Sequence, residues 1–130
     1  MKTINEKNYV DLAEKAIQKM KNEVTDKGKS IPLVTTSKIR NLLSMNMDIY
    51  NDVVNQTSDN LSDETISRIS YLRVRFVYEA GRDASVKVFV QDAQLLEVLS
   101  EIGSSKQNYL LFSRYMEALV AFHRYLGGRD

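Results

Sequence analysis

Residues 61–83 read LSDETISRISYLRVRFVYEAGRD, and the first two of them already announce a helix. Ser62 stands where its hydroxyl can cap the amides of a first turn while Leu61 folds back over Ile66, and the apolar residues that follow recur at a helical rather than an alternating period. Four arginines lie inside this mostly apolar run. Arg68, Arg75 and Arg82 are spaced by sevens, which at 100° per residue leaves them within about 40° of one another, with Tyr71 and Tyr78 beside them. Arg73 is out of step and points among Ile69, Phe76 and Ala80, where a lone charge would be costly. We expect Arg73 to be paired with a carboxylate; the alternative is that its face is covered by a partner. Gly81 is expected to end or kink this helix, and Asp83 to cap the next.

Working outward, the same device recurs. Thr35 can cap a second helix with Val34 stapled onto Ile39, and the run continues through Leu42, Leu43, Met47, Tyr50 and Val54. Asn46 falls inside that apolar arc and needs a partner if buried. Upstream, Tyr9, Ala13, Ala16, Ile17 and Met20 make one stripe of a first helix over roughly 4–23, followed by the loop TDKGKSIP. Downstream, Val86, Phe89, Val90, Ala93 and Leu96 form the stripe of a fourth helix that Gly103 closes. Ser104 and Gln107 stand at capping-box spacing, and a fifth helix runs to about Leu126. That helix is apolar around most of its circumference, with Ser113, Glu117 and Arg124 as a narrow polar strip, so it is either central to a bundle or meets another subunit. The expectation is an all-α chain, a compact five-helix bundle forming one domain over 1–130.

Bulk properties exclude several kinds of chemistry. With 43% hydrophobic and 27% charged residues the 130-residue chain can fold around its own core. There is no cysteine, and His123 is the one histidine, which removes disulfides, thiol nucleophiles and the usual zinc ligand sets. No metal and no cofactor are expected. No apolar run approaches a membrane span and the amino end lacks a signal-peptide core, so the expectation is a cytoplasmic protein that avoids membranes. A formal net charge of +1 means that any binding of nucleic acid must come from local patches. No nucleophile with its base, glycine-rich phosphate loop or carboxylate cluster is visible, so the chain does not read as an enzyme.

The candidate contacts are therefore cationic. Arg68, Arg75 and Arg82 share a face with tyrosines, a combination suited to an RNA backbone because guanidinium groups fork onto phosphate while a ring or hydroxyl meets sugar and base. Glu79 lies on the same face, four residues from Arg75, and can neutralise part of it. The competing reading is the ordinary charged exterior of an amphipathic helix. Lys38 and Arg40 open the second helix but point roughly 160° apart, so they cannot grip one phosphate. Arg114 and His123 fall on the apolar side of the last helix, where a histidine is more often a hydrogen-bonded structural residue than a ligand.

Three blocks taken together, LVTTSKIRNLLSMNMDIYNDV, ISYLRVRFVYEAGRD and LFSRYMEALVAFHRYLGG, resemble the small subunit of the type III-A CRISPR-Cas effector, the Csm complex. The resemblance rests on residues 35–128, with 1–34 an amino-terminal helix and loop outside it. It implies a helical subunit without catalytic activity that stacks in several copies along guide RNA and target RNA. Its implied partners are the backbone subunits, the large subunit and other copies of itself. Carried onto this chain, the implied contacts to RNA or to adjoining subunits are Lys38, Arg40, Arg73, Arg75, Arg82, Arg114 and Arg124. Combining both lines gives Lys38, Arg40, Arg68, Arg75, Arg82 and Arg124 as candidate RNA contacts. Arg73, Tyr78, Arg114 and His123 are the candidates for structural or interface roles. Ser113, Phe122 and Leu126 stand where Cys, Tyr and Tyr are expected for the family. A homo-oligomeric helical adaptor that binds only protein is the other reading.

Overall fold

The computed structural model describes all residues 1–130 and is all helical. Six helices follow in order: α1 Tyr9–Met20, α2 Thr36–Val54, α3 Asp63–Arg82, α4 Ala84–Asp92, α5 Leu95–Glu101 and α6 Lys106–Tyr125. Helix α6 packs against α1, α2 and α5, while α3 packs against α2, α4 and α5. Their buried side chains join in one hydrophobic cluster, at whose heart lie Phe76, Phe89, Tyr109, Phe112 and Met116.

Three of the expected caps form. The Thr35 side chain accepts from the Lys38 amide, Ser62 from the Thr65 amide, and Asp83 from the amides of Ser85 and Val86. Each satisfies donors that a helix start would otherwise leave open, worth about 1 kcal/mol apiece. At α6 the capping residue is Ser105, which accepts from Asn108, and not Ser104. The Ser104 carbonyl instead accepts from the Leu61 amide, and Asp59 accepts from the Lys106 amide, so a short antiparallel bridge between Asn60 and Ser105 ties the starts of α3 and α6 together.

The helix count departs from five because the fourth helix breaks after Ala93. Gln94 adopts left-handed backbone angles (φ 55°, ψ 40°), a conformation that side chains other than glycine rarely take. The break rephases the apolar stripe. Leu95, Val98, Leu99 and Ile102 are buried, while Leu96 is only partly so. Gly81 neither ends nor kinks α3, which runs on to Arg82; the chain turns at Asp83, whose extended backbone lets it cap α4. Helix α1 is shorter than expected. Ahead of it Asn5 and Asn8 exchange side-chain-to-amide hydrogen bonds, and Ile4 is fully buried.

Candidate nucleic-acid interface

Helices α2 and α3 lie side by side, and along their seam the structure brings together four of the six cations proposed for RNA. Arg68, Tyr71 and Arg75 line one hollow of the seam with Met45, Asp48 and Ile49. Lys38 and Arg82 line the next, with Ser37, Asn41, Glu79 and Asp83. All four cations have a carboxylate partner. Arg68 Nη1 reaches Asp52 at 2.5 Å, Lys38 Nζ reaches Asp83 at 2.6 Å, and Arg75 and Arg82 share Glu79 at 3.8 Å each. The Lys38 ammonium, joined by the Ser85 hydroxyl, holds the Asp83 carboxyl well below the usual carboxylate range. Tyr78 is flanked by the guanidinium groups of Arg75 and Arg82, 5.5 and 5.8 Å from its ring centre. Tyr71 is the freer ring, 63% exposed.

Arg40 is exposed on α2, and Arg124 sits apart from the seam. The Arg124 guanidinium reaches Thr36, the Gly128 carbonyl and Asp130 at 3.4–3.5 Å, bracing the carboxyl-terminal segment across the start of α2. The expectation for Arg73 fails: it is exposed on α3 and makes no ion pair, because α3 turns that edge outward beside a shallow groove shared with Leu99 and Gly103. Arg114 is likewise not on an apolar side of α6. It is exposed at the rim of the groove between α2 and α6.

That groove shows what the apolar side of α6 does contain. Asn46, almost fully buried, donates to Ser113 Oγ at 3.2 Å and accepts from the Tyr109 hydroxyl at 2.5 Å. This partnership satisfies the polar residue inside the α2 arc, and it makes Ser113 a buried network member rather than part of an exposed strip. Burial pushes the Tyr109 hydroxyl far above its ordinary range, against the pull of Ser113 and Asn46. His123 is fully buried with Nε2 2.6 Å from the Val34 carbonyl, the position of a structural histidine. Gly128 lies flat against its ring, where a Cβ would overlap it.

The sequence model of the family described as Csm2 Type III-A matches residues 7–129. The chain belongs to the Csm2 family of type III-A CRISPR systems. It is similar along its whole length to the CRISPR system Cms protein Csm2 of Streptococcus thermophilus, with 43% identity covering all of both chains. It is 42% identical to the protein of the same name from Mycobacterium tuberculosis over 75% of this chain and 78% of that one. For Enterococcus italicus the figures are 29% identity over 89% and 87%. The Csm2 match takes in α1 as well as the blocks that carry the resemblance.

Sequence reasoning found Glu79 as a partner of the arginine stripe but missed the other two carboxylates of the seam. Asp52 on α2 and Asp83 ahead of α4 are distant in sequence from Arg68 and Lys38, and only the packing of α2 on α3 brings them together. No group of His, Asp and Glu side chains is arranged to hold a metal ion, and no helix is long and apolar enough to cross a membrane.

Proposed function

We propose that the chain is a non-catalytic small subunit of an RNA-guided type III-A effector acting in the cytoplasm in antiviral defence. Several copies stack along guide and target RNA beside the backbone subunits and the large subunit. Membership of the Csm2 family carries the reading. The seam supports it: Lys38, Arg68, Arg75 and Arg82 form one strip with two exposed tyrosines. The partner carboxylates do not oppose this role. Exposed ion pairs are worth only about 0–1 kcal/mol, so a phosphate can displace a carboxylate at little cost. Near-neutral overall charge fits a subunit whose neighbours add positive charge and whose sequence recognition is delegated to base pairing. Arg40 and Arg124 remain proposed contacts of the same kind, and Arg73 and Arg114, exposed and without ion pairs, are proposed contacts to adjoining subunits.

The test is RNA affinity of the assembled complex across salt concentrations for wild type and for Arg68→Ala/Arg75→Ala/Arg82→Ala. If each arginine meets one phosphate, the slope of log affinity against log salt flattens by roughly 2 for a single strand. An unchanged slope with intact assembly removes this face from the RNA site.

A second reading, an adaptor that binds only protein, is favoured by one feature. The groove between α2 and α6 exposes Met47 and Val54 by 42% and 43%. Purification of the native assembly separates the two, because the effector reading requires small CRISPR RNA to travel with the protein.

A further inference from the structure

The hollow of the α2–α3 seam that holds Arg68 and Arg75 is more than a cationic strip. It has a volume of about 520 Å³, within the range of small-ligand sites. Its floor is apolar, made by the buried side chains of Ile49 and Leu72 with Met45 beside them. One wall is the ring of Tyr71, which is 63% exposed and makes no hydrogen bond through its hydroxyl. Tyr78, one helical repeat further on, has both arginines of its end of the helix stacked near it, whereas no guanidinium lies over Tyr71. The Tyr71 ring thus offers an uncovered face beside an apolar floor, a surface on which a flat group can stack.

The polar groups around the hollow narrow what that something is. Arg68 and Arg75 stand on its α3 side, placed to meet the phosphates that flank a single inserted group. On the α2 side stands Asp48, which makes no ion pair and whose carboxylate oxygens accept hydrogen bonds and donate none. Flat, apolar on its faces, flanked by anions and carrying an N–H to give to a carboxylate: these are the properties of a nucleobase with an exocyclic amine in a single-stranded RNA.

We propose that this hollow receives one splayed-out base of the bound RNA, stacked on Tyr71, with Asp48 accepting from its amino group. The proposal rests on the RNA-binding reading and adds to it a preference for adenine, cytosine or guanine over uracil at that position. An exocyclic amine presents donors to the carboxylate directly, whereas the one ring N–H that uracil can turn to it is set between two carbonyls, which crowd the carboxylate with acceptors. The arginines hold the strand without regard to base; Tyr71 and Asp48 act on the base itself.

The experiment measures binding of short single-stranded oligo(rA), oligo(rC) and oligo(rU) to the full-length chain by fluorescence anisotropy at several salt concentrations. Wild type is compared with Tyr71→Ala, Asp48→Asn and Arg68→Ala/Arg75→Ala, each checked for unchanged helicity. The expected result is tighter binding of oligo(rA) and oligo(rC) than of oligo(rU). Tyr71→Ala weakens binding about ten-fold without changing the salt slope, as loss of one stacked base does. Asp48→Asn narrows the gap to oligo(rU), because an amide donates as well as accepts. Upfield shifts of the Tyr71 ring protons on titration with oligo(rC) report the stacking directly. If the double arginine variant flattens the salt slope while Tyr71→Ala and Asp48→Asn bind all three oligomers like wild type, the hollow holds no base, and the phosphate-gripping reading stands without it. If none of the oligomers binds the chain, the base-receiving hollow falls, while the phosphate-gripping reading is decided separately by the salt slope of the assembled complex.

Discussion

Helices α3 and α6 are each 20 residues long, yet the tyrosines in the middle of each are placed oppositely, out on α3 and in on α6. On α6, Tyr109 is fully buried and donates to Asn46, and His123 is locked on the Val34 carbonyl. On α3, Tyr71 and Tyr78 face out beside arginines held by surface carboxylates. Inside, a polar group left alone costs its full desolvation, so each one must have a fixed partner. Outside, water or a phosphate can replace any partner, so the charges stay exchangeable. Polar side chains on the inner face of α6 thus set stability, while those on the outer face of α3 remain available for recognition.

Four changes sharpen or break that contrast. The largest effect is expected where α3 turns inward. Phe76 is fully buried, and Phe76→Ala should cost about 3–5 kcal/mol in urea unfolding. A loss below about 1 kcal/mol would mean that α3 is not anchored as described. Next, Asn46→Ala leaves the Tyr109 hydroxyl only the backbone carbonyl of residue 46 at 3.3 Å and takes the donor from buried Ser113, and should cost about 1–3 kcal/mol. Combining it with Tyr109→Phe should cost less than the two losses summed, and strict additivity in the double-mutant cycle would show the pair to be uncoupled.

Third, Asp92 tests a buried carboxyl whose cation does not fully compensate it. Burial first, then the neighbouring Glu23, pushes its pKa up to about 6 against the pull of Lys19 at 3.6 Å. The folded chain therefore holds this proton more tightly than the unfolded chain, where the group titrates near 3.8. Its favourable contribution is complete below about pH 4 and is lost as pH rises through 6. Asp92→Asn should stabilise the chain at pH 7 by about 1–2 kcal/mol and flatten the stability profile across that window. A variant less stable than wild type at pH 7 would mean that the carboxylate is fully satisfied. Asp83 behaves oppositely, since its depressed pKa adds stability that is complete at neutral pH and is lost progressively as pH falls below the unfolded value of 3.8.

The smallest effect on stability is expected for Arg68→Ala/Arg75→Ala/Arg82→Ala, the variant with the largest expected effect on RNA salt dependence. Its exposed ion pairs should together be worth no more than about 1–2 kcal/mol in thermal unfolding. A greater loss would make the seam a structural element and not an exchangeable surface.

Local signals were readable in the sequence and long-range ones were not. Thr35, Ser62 and Asp83 act on amides two or three residues away, so their spacing alone identifies them as caps. The adjacent serines Ser104 and Ser105 offer the same chemistry one residue apart, and the choice is made by the bridge to Asn60 on a distant loop. The break at Gln94 has no glycine or proline to signal it; tertiary packing imposes it by burying both Ala93 and Leu95. For the site, the seven-residue arginine spacing gave the shared face of α3, while Asp52 and Asp83 became its partners only through helix packing. Arg73 and Arg114 were misplaced for a related reason. Angular position on a helix says which residues share a side and not which side the neighbours cover.

The bridge between Asn60 and Ser105 also bears on how the chain opens. Leu61 and Lys106 have their backbone partners only while the segment between them is doubled back, so these two bonds depend on α3, α4 and α5 being packed together and not on any single helix. The tie therefore works as a clasp on the whole segment, released wherever that segment opens even if its helices persist.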